Sequence, residues 1–163
     1  MRIQETVMSL LRTKYPNLAL LILRLAAGGI FAYEGALKFF VWERSSLVGY
    51  FGGLGFPAPE FVSSFITYFE FFGGLLIFLG LFTRILSFFA AGEMAVATIV
   101  ANLPAGITAA TEVNILLFAV FCALLFVGGG KFSVMKFFKE CDCAKFLSIV
   151  GIAAVPFATF LAF

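Results

Sequence analysis

The stretch LALLILRLAAGGIFAYEGALKFF, residues 18–40, decides the fold of this chain. It carries three ionisable side chains, Arg24, Glu34 and Lys38, and no proline. A helix rises about 1.5 Å per residue, so this run is roughly 34 Å long, enough to cross a hydrocarbon core about 30 Å thick. Gly28 and Gly29, with Ala26, Ala27 and Ala32, give it a face of small residues on which a second helix can pack closely.

Four further segments read the same way: near Glu60–Phe82, Ile85–Leu103, Ala109–Val127 and Lys145–Phe163. Pro16-Asn17 precedes the first span, and Gly52, Gly53, Gly55, Pro57 and Pro59 punctuate the connection after it. Pro104 and Gly106 end the third, and Gly128-Gly129-Gly130 ends the fourth. No period-two alternation competes, which argues against a membrane barrel. The predicted fold is an all-α membrane protein, a four-helix transmembrane bundle with a fifth, C-terminal hydrophobic helix. The first domain is expected over 1–135, with a basic, cysteine-bearing loop and the extra helix over 136–163.

Composition agrees. The 163 residues are 63% hydrophobic and 12% charged, with a mean hydropathy of +1.10. A soluble domain has about 45–50% apolar and 25% charged residues, and a disordered chain has still fewer apolar ones. A net charge of +2 gives no basic field for nucleic acid. The absence of histidine excludes His-ligated haem, His-based zinc sites and Ser–His triads.

Basic residues mark the cytoplasmic side. Arg2, Arg12 and Lys14 precede span one, Arg84 sits between spans two and three, and Lys131, Lys136, Lys139 and Lys145 follow span four. The intervening connections carry Glu43 with Arg44, and no charge over 104–108. The expected location is the cytoplasmic membrane, multi-pass, with the N-terminus inside. The long apolar run of span one, with no small-residue cleavage site after it, is not a signal peptide. Residues 1–14 and 131–140 have the apolar and basic patterning of helices lying on the inner surface.

The chemistry-bearing residues are those that cost most to place in lipid, about 2.5–3.5 kcal/mol for each ionised side chain at the centre of a span. They are Arg24, Glu34 and Lys38 in span one, Glu70 in span two, Glu93 in span three and Glu112 in span four. They are expected to turn inward, pair or lose their charge. Counting helical rise places Arg24, Glu70 and Glu93 at inner to middle depth. Glu34, Lys38 and Glu112 fall in the outer half, and Arg84 reaches the inner boundary by snorkelling. Four glutamates face two internal cations, so a proton, a cation or a polar ligand must balance the rest. Such residues suit proton handling and hydrogen bonding to a neutral head group. Pairing that only sets helix register is the alternative.

Cys122 lies within span four and reads as a small buried hydrophobe. Cys141-Asp142-Cys143 supplies two soft ligands, too few for a closed zinc site, and is a weak candidate for Cu(I) or thiol exchange. No metal site is otherwise indicated. Gly52-Gly53-Leu54-Gly55 follows a span and not a strand, so it is no phosphate loop.

With these residues in view, the chain resembles the DoxX family of small membrane proteins. Leu23-Arg24-Leu25 through Gly28, Phe31, Gly35 and Lys38 is similar to the family's opening pattern. Glu70-Phe71-Phe72-Gly73-Gly74, leading to Gly80-Leu81-Phe82-Thr83-Arg84, carries the strongest likeness. Gly55-Phe56-Pro57 and Gly128–Ser133 match shorter signatures, and the likeness covers roughly 18–135. It implies a four-helix membrane bundle and a redox role linked to thiol or sulfur chemistry, with quinone as acceptor in some relatives. It carries the family's charged positions onto Arg24, Lys38, Glu70 and Arg84. Glu34 stands where many relatives have His, Met135 where an acid is common, and residues 136–163 lie beyond the usual family end.

The expected function is therefore a quinone- or amphiphile-binding subunit of a membrane redox assembly, at most an accessory oxidoreductase subunit. Glu70 and Glu93 would handle protons or hold the head group, with Arg24 as counter-charge. The catalytic residues are not identifiable, and quinone is the cofactor the likeness suggests. Lipid, redox enzymes and further copies of the chain are the expected partners. Proton-coupled transport of a small solute or metal complex, and a non-catalytic scaffold, are the rival readings.

Overall fold

The computed structural model describes residues 15–136. Five helices carry the architecture: α1 (Pro16–Phe40), α2 (Arg44–Gly53), α3 (Pro59–Leu79), α4 (Thr83–Asn102) and α5 (Ala109–Val127). All but α2 are long and apolar enough to cross a membrane. Each predicted span over 18–127 is present, with ends within a few residues of the expected ones, and no strand occurs among the described residues. The expected N-terminal surface helix, the Cys141-Asp142-Cys143 loop and the fifth helix at Lys145–Phe163 lie outside the described residues.

The helix starts follow local chemistry. Proline stands in the first turn of α1 and of α3, where its missing N–H costs nothing. At α5 the Thr108 side chain accepts from the Thr111 N–H while Thr111 returns the bond, a reciprocal cap. The α3–α4 turn runs through Gly80 and Phe82, both left-handed, with φ of 79° and 48°.

Sequence reading treats residues 44–57 as connection, but 44–53 is helical. Leu47 and Phe51 are buried at i and i+4, and the glycines assigned to the connection end α2. Two further departures concern helix winding. Residues Phe69–Gly73 within α3 and Ala97–Asn102 at the end of α4 form π-helical turns. Such turns widen a helix by one residue and often occur at functional positions. Glu70 sits inside the first.

Consecutive spans run antiparallel. α1 lies along α3 and α4 along α5, and contacts of α1 with α5 and of α3 with α4 join the two hairpins. Small residues set the approach of α1 to α3. A methyl group on Gly35 would stand 2.2 Å from the Phe71 backbone nitrogen, and one on Gly74 would stand 2.4 Å from that of Ala32. These contacts are backbone to backbone, as in close-packed membrane helices. The core is a plug of Ala27, Phe31, Ile77, Ala90, Phe121 and Leu124, with Cys122 partly buried against it. Phe31 meets Phe69 and Phe121 edge-on, at centroid distances of 5.6 and 5.2 Å. Outward-facing positions are large and apolar, for example Phe126, Leu116, Phe61 and Ile99. That distribution fits lipid and not water. The molecule is a multi-pass membrane protein.

Candidate functional site

Lys38 occupies the last turn of α1, and Glu70 is the twelfth residue of α3, half-way along that span. The Gly35 contact brings the two helices together one turn below Lys38. The Lys38 ammonium donates to both oxygens of the Glu70 carboxylate. The pair is buried, with side-chain exposures of 14% and 5%.

Glu93 approaches from α4, and its carboxyl faces that of Glu70. Its Oε2 is shut away from the surface and has no hydrogen-bond partner among the described residues. Lys38 also lies within electrostatic reach of Glu93, and Glu34 within reach of Glu70. Two carboxyls, close enough to hydrogen-bond each other, therefore share one ammonium, and the buried Glu93 Oε2 has no further partner among the described residues. This arrangement can hold a polar head group or a proton, because an unpaired buried carboxyl oxygen is costly unless something bonds to it.

An apolar groove of about 350 Å³ lies between α3 and α4 on the outer surface of the bundle. Phe65, Phe69, Phe72 and Leu76 of α3 line one wall, and Leu86 of α4 the other. Leu86, Phe89 and Glu93 follow at i, i+3 and i+7, so they share one face of α4. Phe89 meets Phe69 edge-on at 6.3 Å. Of α4, the groove is lined by Leu86, two turns before Glu93 on that face.

The structure gives Arg24 a different place from the one expected. It is 2% exposed and makes no ion pair among the described residues. Its Nε donates to the Phe78 carbonyl at 3.0 Å, Nη1 to that of Gly129 at 2.8 Å and Nη2 to that of Phe132 at 3.0 Å. These carbonyls belong to the end of α3 and to the segment after α5. Eleven residues of α1 separate Arg24 from Gly35, about 16 Å along the helix. Lys38, and not Arg24, is the counter-charge of Glu70. Depth along each helix does not fix the pairing, because the long lysine side chain reaches a carboxylate at a different level.

The predicted two-layer arrangement is revised accordingly. Lys38, assigned to the outer layer, reaches down to Glu70 and Glu93 of the inner one. Glu34 is on the exposed face of α1, contrary to the expectation that every charge turns inward. Glu112 is exposed in the first turn of α5, where the helix dipole favours an acid, and it stands apart from the cluster. Arg84 is exposed at the start of α4, the boundary position expected of it. Sequence reasoning missed Ser63 and Thr67, buried on α3 two turns and one turn before Glu70. Their offsets of seven and three residues before Glu70 were the available signal.

No curated protein and no solved structure matches this chain. The family model that matches is DoxX, over residues 19–103. That match spans just over half of the chain, from the first turns of α1 through the π-helical end of α4, and contains Arg24, Lys38, Glu70, Arg84 and Glu93. The chain belongs to the DoxX family.

Proposed function

We propose that this protein binds the hydrogen-bonding head group of a membrane amphiphile, such as a quinone, at the Lys38–Glu70–Glu93 cluster. On this reading it serves a membrane redox assembly by holding the head group and handling its protons. The observation that carries the reading is the Glu93 Oε2, buried and unpartnered beside the Lys38–Glu70 pair. Quinol chemistry moves protons with electrons, and a carboxyl within hydrogen-bond reach of the ring oxygens is the usual means of moving them. The apolar groove along Phe65, Phe69, Phe72 and Leu86 is suited to the tail, since it lies on the outer surface of the bundle and its α4 wall, Leu86, shares a helix face with Glu93 two turns away. Lys38 would donate to a ring oxygen as Glu70 shifts, and Glu93 would accept from the reduced hydroxyl. The electrons come from a partner enzyme or pass to one, because quinone reduction requires a donor outside the described residues. Location in the cytoplasmic membrane, with the N-terminus inside, is part of the proposal and rests on the placement of basic residues.

The test is direct. Protein extracted in native lipid discs is analysed by mass spectrometry for co-purifying quinone, and a short-chain quinone is titrated against wild type and Glu93→Gln. Retained quinone, with affinity lowered about tenfold in Glu93→Gln, or about 1.4 kcal/mol, supports the reading. No retention and no titration sinks it. The transport reading gains ground if proteoliposomes instead show a proton-driven solute flux that Glu70→Gln abolishes.

A further inference from the structure

We infer that the Lys38–Glu70–Glu93 cluster exchanges water and protons with one side of the membrane only, the side of α2, by way of the surface cleft between α2 and α3 and the Ser63–Thr67 face of α3. The inference rests on the cluster being a functional site and adds the sidedness of its access.

On the α2 side, polar side chains of α3 lead from the surface toward the cluster. A cleft of about 570 Å³ opens between α2 and α3, lined by Arg44, Ser45, Val48, Gly49 and Glu60. From Glu60 the polar residues of α3 run inward as Ser63, Thr67 and Glu70, at offsets of three, seven and ten residues. Those offsets keep them on one face over about 15 Å of helix. Ser63 is 2% exposed and Thr67 8%, so this face points into the protein and not into lipid. The Ser63 hydroxyl donates to the Glu60 carbonyl at 3.1 Å, and the Thr67 hydroxyl to that of Ser63 at 2.7 Å. Each hydroxyl oxygen keeps lone pairs that can accept from water. The line ends at the carboxyls of Glu70 and Glu93 and the ammonium of Lys38, with Glu34 in electrostatic reach.

The opposite side is closed twice. Phe31 lies seven residues before Lys38 on the same face of α1, and it is sealed by Ile77, Ala90, Phe121 and Leu124, each 0% exposed. Beyond this plug, Arg24 binds three carbonyls and ties the end of α3 to the segment after α5. Ser87 and Thr83 on α4 are the rival route, since their buried hydroxyls have no partner among the described residues. Six residues separate Ser87 from Glu93, about 9 Å, and fully buried Ala90 lies between them.

The experiment reads accessibility and needs no ligand. Full-length protein with Cys122, Cys141 and Cys143 replaced by serine receives one new cysteine at a time: Ser63→Cys, Thr67→Cys or Ser87→Cys. Ser45→Cys and Arg84→Cys report the two faces and fix orientation in proteoliposomes. A small charged methanethiosulfonate that does not cross lipid is then added to one side. Its reaction requires thiolate, which forms only where water reaches the sulfur, so hydrated positions should react at least about tenfold faster than dry ones. Cysteines at 63 and 67 should label from the Ser45 side, and the cysteine at 87 from neither. Protection of both 63 and 67 from the Ser45 side overturns the inference, as does labelling of 87 from the Arg84 side. Serine to cysteine is nearly isosteric, and position 63 answers the question if Thr67→Cys fails to fold. Loss of head-group binding leaves the labelling pattern intact, so the two readings fail separately.

Discussion

The ammonium of Lys38 and the carboxylate of Glu70 close a buried ion pair across the α1–α3 seam, one helical turn above the contact of Gly35 with Phe71. Glu93 adds a second acid to the same ammonium. A buried pair gains little over an apolar pair of the same shape, but removing one partner leaves a charge that nothing balances.

Lys38→Met should therefore be among the most damaging changes in the molecule, costing about 3–5 kcal/mol of stability. Here it strands two acids instead of one. Lys38→Met combined with Glu70→Met should recover most of the loss. Unfolding midpoints in mild detergent across the four-variant cycle measure this. A double variant no better than Lys38→Met alone would mean that the pair carries no coupling.

Arg24 should behave as a structural clamp. Its guanidinium reaches three carbonyls that diverge from one another, and a lysine has one nitrogen on a flexible stem. Arg24→Lys keeps the charge yet should lose most of the stability that Arg24→Gln loses, about 2–5 kcal/mol, because buried carbonyls go unpaired. Gly80 should be equally intolerant. A methyl group there would stand 2.3 Å from the Arg24 Nη1, on a backbone already at φ 79°. The measurement is the thermal midpoint of the purified variants. Full stability in Arg24→Lys would return Arg24 to the list of charge-pairing candidates.

Glycine substitutions should separate by location. Gly35→Ala forces α1 and α3 apart against backbone atoms, and should weaken the Lys38–Glu70 pair as well as the fold. Gly92→Ala meets nothing within 4 Å and should leave stability unchanged or raise it by up to about 1 kcal/mol. Equal effects of the two changes in a thermal assay would contradict the close approach at Gly35.

The spans were legible because twenty consecutive apolar residues admit few alternatives. Arg24, Glu70 and Glu93 do turn inward for the reason their cost implies. The pairing was not legible from depth alone. It depends on which faces of α1 and α3 meet, and Gly28 and Gly35 decide that by contact with Phe78 and Phe71. It depends also on the π-helical turn at Phe69–Gly73, which shifts the register of the residues after Glu70. Winding defects of this kind leave no mark in hydrophobic periodicity. α2 escaped for a different reason: its ten residues include three glycines and two serines, which read as a loop until Leu47 and Phe51 are seen to share a face.

The groove between α3 and α4 yields a prediction that separates tail binding from head-group binding. Leu86 forms the α4 wall of the groove, two turns below Glu93 on the same face. Leu86→Trp adds bulk at the position a tail would follow while leaving the three charged side chains in place. A quinone with several isoprenoid units should then lose affinity about tenfold, close to 1.4 kcal/mol, whereas a short-chain analogue should bind as before. Glu93→Gln should reverse the pattern and weaken both ligands alike, because both present the same ring oxygens. Titrating the two quinones against the two variants gives four affinities. Equal losses for both tail lengths in Leu86→Trp would mean that the substitution disturbs the cluster itself. No loss for either would place the tail outside this groove, with the head group reaching Glu93 by another path.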